Sequence, residues 1–385
     1  MTALYPNVDP DGLREYSVVY TDRSLNHMSQ SFQSVMTDIY AMLKETYNAQ
    51  SAIIVPGSGS FGMEAVARQF ARDKKCMVIR NGWFSYRWSQ IFDMGKLPSE
   101  TLVLKARRAA TGSTEPFQPA PIEEVVASIK RDKPNLVFAP HVETSAGMIL
   151  PDDYLTAIAD AVHSVGGLFV LDCIASGTIW VDMQQCGVDI LISAPQKGWS
   201  GPPCAGLVML GKDARHRIEQ TESDSFACDL KKWLQIMEAY ENGGHAYHAT
   251  MPTESLRVFR DVMTETRDFG FDLAKKKQQE LGDKVRAMLE NAGVASVADK
   301  GFQAPGVVVS YTSDPSIQTG KQFAELGLQI AAGVPLMCDE GDDYRSFRLG
   351  LFGLDKLKNV DRTVDGLRPA VEKLFVTQVR DTATA

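Results

Sequence analysis

The chain has 385 residues, 44% hydrophobic and 23% charged, with a formal net charge of −8. That length exceeds what one small core needs and points to two domains of ordinary globular composition. The acidic balance argues against a general nucleic-acid binder, which needs a basic surface to meet phosphates, and six scattered cysteines without a C-x-x-C pair argue against a zinc site or disulfide framework and for a reducing cytoplasm.

In chain order, the polar start "MTALYPNVDPDGLREY" lacks the apolar core of a signal peptide and reads as an arm, 1–16. No apolar run approaches the ~20 residues of a membrane helix, and the C-terminal "ATA" is no peroxisomal address. Seven short apolar runs follow: "SAIIV" (51–55), "CMVIR" (76–80), "TLVLK" (101–105), "NLVFAP" (135–140), "GLFVLD" (167–172), "DILISAP" (189–195) and "AGLVML" (205–210). Helical patterns such as 121–131 and 152–165 lie between them. This alternation predicts βαβ units and a mostly parallel seven-stranded sheet covered by helices on both faces. Beyond about residue 255 a long charged periodic segment reads as one or two helices ending near Gly293. A strand at 306–313, a helix near 318–327, the run "FRLGLFG" (347–353) and a last helix near 360–376 make a smaller α+β domain. The expected division is 17–267 for the large domain and 268–385 for the small one.

In open α/β sheets, ligands collect at the carboxyl ends of the strands. The first run leads into "PGSGSFGMEA", whose Gly57, Gly59 and Gly62 match the dinucleotide pattern G-x-G-x-x-G. Arg80, at the end of the second run, suits the 2′-phosphate of NADP, so an NADP-dependent oxidoreductase stands as a distant rival. The fifth run ends at Asp172, and the sixth leads to Gln196 and Lys197 before a Gly/Pro-rich loop. A buried carboxylate needs a partner, and a pocketed lysine forms Schiff bases with aldehydes. An acid that keeps a pyridinium protonated and a lysine that takes the aldehyde are what pyridoxal phosphate requires. Beside that pair, Ser58, Gly59 and Ser60 read as a cup for one phosphate at a helix N-terminus. His141 and Glu143 invite a metal reading, but no further ligands appear at suitable spacing, and no metal is expected.

The strings "SGSFGMEA", "NGWFSYR", "HVETSAGM", "LDCIAS", "SAPQKGWSGPP", "YHATMP" and "FRLGLFG", in this order, resemble those of class V, fold-type I PLP-dependent aminotransferases of the alanine–glyoxylate / serine–pyruvate kind. The resemblance runs from about residue 50 to 375. It implies an amino group moved from a small, alanine- or serine-like amino acid to a small 2-oxo acid such as glyoxylate or pyruvate. It implies Lys197 as Schiff-base lysine and proton shuttle, Asp172 on the pyridine nitrogen, Ile174 on one ring face, and Phe84 on the other, with Trp83 as its competitor. Ser58, Gly59, Ser60 and Gln196 would hold the phosphate, and Ser145, or Thr144, the phenolic oxygen. Tyr247 and Thr250 match residues that reach the other subunit's cofactor, which implies a homodimer with shared sites. Arg348 matches the arginine on the substrate carboxylate, although its fork suits a phosphonate equally.

Two segments depart from the family pattern, 17–32 (with Tyr20, Asp22, Arg23, Asn26 and His27) and 331–346, where substrate side chains would lie; the donor and acceptor are therefore left open. A PLP-dependent lyase or cysteine desulfurase-like enzyme of the same fold, with Cys338 as nucleophile, is the nearest rival. A non-catalytic PLP-binding protein is a third.

Overall fold

The seven apolar runs become seven strands of one sheet: β1 (Ser51–Pro56), β2 (Lys75–Arg80), β3 (Glu100–Lys105), β4 (Leu136–Pro140), β5 (Leu168–Asp172), β6 (Ile190–Ser193) and β7 (Ala205–Leu210). Their spatial order in this computed structural model, which describes residues 13–376, is β1-β7-β6-β5-β4-β2-β3. Residues 1–12 of the expected arm and 377–385 of the expected small domain lie outside the described residues. Strands β2 to β6 pair in parallel, whereas β7 is antiparallel to both β1 and β6. The reason is the connection. A parallel neighbour needs a crossover of about a dozen residues or more, usually through a helix, and the 194–204 link between β6 and β7 contains no helix. Since β7 opposes both neighbours, β1 runs in the same sense as β5 and β6. The carboxyl ends of β1, β5 and β6 therefore share one edge of the sheet.

Helices α1 (Gln30–Tyr47), α2 (Gly59–Phe70), α3 (Trp83–Gly95), α4 (Ile122–Asp132) and α5 (Asp152–Ser164) flank the sheet, and α6 (Leu230–Glu241) follows it. Strands β4 to β7 are buried along their whole length. That is why they read as unbroken apolar runs rather than alternating ones. Among the described residues no helix is long and apolar enough to cross a membrane.

The long charged segment forms two helices, α7 (Thr253–Phe269) and α8 (Phe271–Asn291), broken at Gly270 with φ +97°. Phe259 and Met263 of α7 belong to the core around the large sheet, whereas Ala274 and Leu281 of α8 belong to a second core. A small sheet, β8 (Val307–Tyr311), β9 (Ala331–Ala332) and β10 (Ser346–Gly350), in the order β8-β10-β9, and helix α9 (Val360–Val371) complete the C-terminal part. The single helix expected near 318–327 is instead two short pieces, Pro315–Gln318 and Lys321–Glu325, because Gly320 adopts φ +80° between them. A third core, including Phe117, Val142, Met148, Val307 and Leu336, joins the two parts.

Helix α2 crosses the sheet closely. A Cβ on Gly206 of β7 would lie 2.7 Å from the Gly62 amide nitrogen and 2.8 Å from the Ser58 carbonyl oxygen, both backbone atoms. Gly206→Ala is therefore expected to cost about 1–3 kcal/mol through overpacking. A shift of the urea midpoint of the cofactor-free chain checks this; an unchanged midpoint would show that α2 can lift off β7 freely.

Candidate active site

Helix α2 begins directly after β1. Amides of a helix's first turn have no intrahelical carbonyl to bind, and Ser58 at the N-cap makes no side-chain cap bond. The helix dipole makes this end positive, so Ser58, Gly59 and Ser60 form a concave anion site. Gly62 serves the close crossing with β7 described above. Ser60 is itself held: its hydroxyl accepts a hydrogen bond from Arg87 Nη1 at 2.8 Å.

Helix α3 starts in the same way after β2, but a buried carboxylate fills its N-terminus. Glu143 accepts from the amides of Phe84 (3.2 Å) and Ser85 (2.9 Å), from the Ser85 hydroxyl (2.7 Å) and from the Ser145 hydroxyl (2.6 Å). The Ser145 oxygen in turn accepts from the Trp83 amide at 2.9 Å. A Cβ on Gly82 would run into Ser145 and Glu143. This fully buried acid thus fixes the backbone on which Phe84 stands. His141, the other half of the metal motif, is likewise buried, with Nδ1 2.7 Å from Ser176 Oγ. Among the described residues no cluster of three or more potential ligands is placed to hold a metal. The Ser145 proton goes to Glu143 in this arrangement, leaving its oxygen as the group's remaining capacity.

Phe84 lies between cations. The Arg87 guanidinium is 5.3 Å from its ring centroid and that of Arg348 is 5.5 Å away. Trp83 instead sets its ring against Tyr86. Arg348, on β10, anchors Nε on the Ala332 carbonyl at 2.8 Å and has no carboxylate partner among the described residues, so its terminal nitrogens stay available for an anion. At the other wall, Asp172 closes β5. Its Oδ1 accepts from the Ile174 amide at 2.9 Å, while Oδ2 has no protein donor among the described residues. Burial, with the charge of Glu143 nearby, pushes this carboxyl up to about 6, against the opposing pull of that amide, Arg87 and Lys197. Ile174 is half-buried, and a Cβ on Gly59 would come within 2.7 Å of its Cδ1, so its apolar face adjoins the anion cup.

Lys197 follows β6 on a closely packed loop. A Cβ on Gly198 would collide with the Gly177 carbonyl, so the loop is pressed against that turn. Lys197 Nζ has no ion-pair partner among the described residues and lies 5.4 Å from the Phe352 ring. Burial lowers its pKa, Arg348 and Arg87 lower it further, and Asp172 opposes them. Beside it the Gln196 carbonyl oxygen is buried without a partner.

The structure thus brings together Ser60, Phe84, Asp172, Lys197 and Arg348. Tyr247 and Thr250 stand apart in the single chain: the Tyr247 hydroxyl meets that of Thr250 at 3.1 Å, and its exposed ring lies 5.4 Å from His27. The departing segment 17–32 packs there too. Tyr20 donates to the Met251 carbonyl, the Leu25 amide to Glu254, and His27 abuts His245. Of the polar groups expected over the substrate, Tyr20 and His27 contact residues 245–254, whereas Asn26 bonds to Glu15 and Ser17.

Arg80 does not offer itself to a nucleotide. It is buried, donates to Ser89 (2.8 Å) and the Met337 carbonyl (3.3 Å), and lies over Tyr86. Cys338 sits buried in a turn whose amides bond to Glu340, and burial, with Glu143 and Glu340 nearby, pushes its thiol up to about 12. Such a thiol is protonated at neutral pH and is not poised as a nucleophile. Sequence reasoning missed Arg87, Glu143 as a helix cap, and Phe352. For Arg87 a signal was present: it stands three residues after Phe84, on the same helix face.

The residues present fit pyridoxal phosphate: an anion cup at the start of α2, a buried carboxylate with one open oxygen, an apolar face at Ile174 and a lysine whose pKa is lowered by burial. The comparisons agree. The family model described as aminotransferase class-V matches residues 11–314. The chain is 23% identical over 361 residues to the alanine–glyoxylate aminotransferase of Mus musculus, covering 91% of this chain and 83% of that protein. It is 27% identical over 364 residues to the 2-aminoethylphosphonate–pyruvate transaminase of Burkholderia ambifaria, covering 93% and 91%. Among solved structures, the alanine–glyoxylate aminotransferase of Nostoc sp. superposes with a TM-score of 0.75 at 20% identity, covering 90% of this chain and 88% of that one.

Proposed function

The chain belongs to the class-V aminotransferase family, whose cofactor is pyridoxal phosphate, and we propose that it moves an amino group from a small amino acid, alanine or serine in kind, to a small 2-oxo acid such as glyoxylate or pyruvate. The observation that carries this is Arg348: a guanidinium anchored through Nε, free at its fork, and set beside Phe84 in the same site as Lys197. The relatives' names supply the acceptor class, glyoxylate and pyruvate.

When bound, the cofactor supplies an aldehyde that condenses with amines and a ring that accepts the electrons of the substrate Cα–H bond. The residues around it do the rest. Lys197, once free as a neutral amine, would take the substrate Cα proton and deliver it to the cofactor carbon that carried the aldehyde, two atoms away. Asp172 would hold a proton at the ring nitrogen and so keep the ring electron-poor. Phe84 and Ile174 would enclose the ring, Ser58, Gly59, Ser60 and Gln196 would hold its phosphate, and Ser145 would meet its phenolic oxygen. Arg348 would bind the substrate's anionic group and so orient its Cα.

The active assembly on this reading is a cytoplasmic homodimer of chains with a cofactor-binding part at 17–267 and a smaller part from 268, in which Tyr247 and Thr250 serve the neighbouring chain's phosphate. Tyr247 and Phe226 support it, since both aromatic rings stand exposed on the single chain around this segment. Sedimentation at micromolar concentration tests it; a monomer with full activity would overturn it.

A panel of donors, each added to the holoenzyme, tests the reaction. A true donor bleaches the visible band of the lysine-linked cofactor, and a true 2-oxo acid restores it. The panel includes 2-aminoethylphosphonate, because an arginine fork accepts either anion. Arg348→Gln is expected to raise KM for the donor about 10–100-fold with a smaller change in kcat. An equal loss in kcat alone would remove Arg348 from substrate binding, and a panel without any bleaching would overturn amino transfer.

A further inference from the structure

Arg87 has work that the cofactor and substrate roles above do not explain. It is half-buried on α3, one turn inside the helix. No carboxylate pairs with it among the described residues, whereas Arg68, Arg107, Arg215 and Arg260 are each so paired. A half-buried guanidinium without a counter-ion has lost part of its water and gained no partner charge. Its visible partners are the Ser60 hydroxyl at 2.8 Å and the Phe84 ring at 5.3 Å. One places it at the first turn of α2; the other places it beside the ring that would cover the cofactor.

We propose that Arg87 completes the phosphate cup: its guanidinium orients the Ser60 hydroxyl and pairs with the phosphate monoester, so that the chain selects the phosphorylated cofactor over the bare pyridine aldehyde. This rests on the reading of pyridoxal phosphate as cofactor. Three considerations support it. A monoester carries close to two negative charges at neutral pH, more than the neutral donors Ser58, Ser60 and Gln196 balance. A guanidinium offers a planar fork that meets two phosphate oxygens while a third N–H stays on Ser60. The cation also lies near enough to lower the pKa of both Asp172 and Lys197 through space, which favours the carboxylate of the first and the free amine of the second. A phosphate at Arg87 therefore joins the phosphate anchor electrostatically to the two groups that do the chemistry.

The test is a titration of the full chain, stripped of cofactor, with pyridoxal phosphate and separately with unphosphorylated pyridoxal, followed by the visible band and by tryptophan fluorescence. Arg87→Gln is expected to weaken pyridoxal phosphate about 10–100-fold and to leave pyridoxal within about twofold. Arg87→Lys, which keeps the charge and loses the fork, should fall between; it decides the matter if Arg87→Gln melts far below the parent chain. Equal weakening of both compounds would overturn the proposal, because the effect would then run through Phe84 and the ring. So would an unchanged preference with a loss confined to KM for acidic donors, which would make Arg87 a substrate group. A parent chain that binds neither compound would overturn the cofactor reading itself, whereas normal binding by the parent and an unaltered preference in both variants would overturn the role of Arg87 alone.

Discussion

Lys197→Ala is expected to lower turnover by roughly 10⁴-fold or more and to erase the visible band. Three features make this lysine sensitive. Its loop packs directly against the Gly177 carbonyl at Gly198. It has no ion-pair partner to hold it charged among the described residues, and burial together with Arg348 and Arg87 lowers its pKa, with Asp172 opposing. A larger share of free amine is thus present near neutrality than an ordinary lysine, at about 10.4, would offer. The rising limb of kcat/KM with pH should lie below that value. Absorbance spectra and single-turnover kinetics check the outcome. A variant that kept both the band and the rate would place the covalent link elsewhere.

Asp172→Asn is expected to cost roughly 10²–10³-fold in kcat, the scale of removing one preorganised charge from a reacting centre, while the cofactor still binds. An amide at this position donates or accepts but carries no charge to keep the ring nitrogen protonated. The same residue leaves a mark on stability. In the cofactor-free chain its carboxyl sits at about 6 against an ordinary 3.8, because burial disfavours the ionised form. The native state therefore binds the extra proton between those values. The stabilising contribution is fully present below about pH 4 and is lost as pH rises through about 6. Urea midpoints of the cofactor-free parent should fall across that window by more than those of Asp172→Asn. Parallel pH profiles would mean that Asp172 is solvated. Cofactor binding should remove the difference, since a protonated ring nitrogen favours the carboxylate.

The strand ends were legible because burial leaves a local record. Strands covered on both faces must be apolar throughout, so the first polar residue after each run marks the carboxyl edge of the sheet. Asp172, Gln196, Lys197 and the Ser58–Ser60 turn could be named from this record and the order in which they occur. The two-helix character of the charged segment was legible too, as one of two options, and Gly270 decided between them. Less visible was the helix near 318–327, where the periodic pattern continued through Gly320 but the backbone did not.

The sequence by itself determined the class of sheet and the polar residues that stand at the carboxyl edge of its strands. Those properties depend on short-range periodicity and on what a strand end can carry. Only the tertiary structure decided which arginine faces the site. Arg80 and Arg87 are seven positions apart in one stretch, yet the first is spent on Ser89, Met337 and Tyr86 while the second meets Ser60 and Phe84. It also turned Glu143 from a possible metal ligand into the cap of α3, sealed Cys338 in a turn, and laid the polar N-terminal loop on residues 245–254. Each of these outcomes joins side chains far apart in sequence. A charged or polar side chain takes its role from whichever partner the packed fold presents, because leaving it buried without one costs more than any local preference can repay.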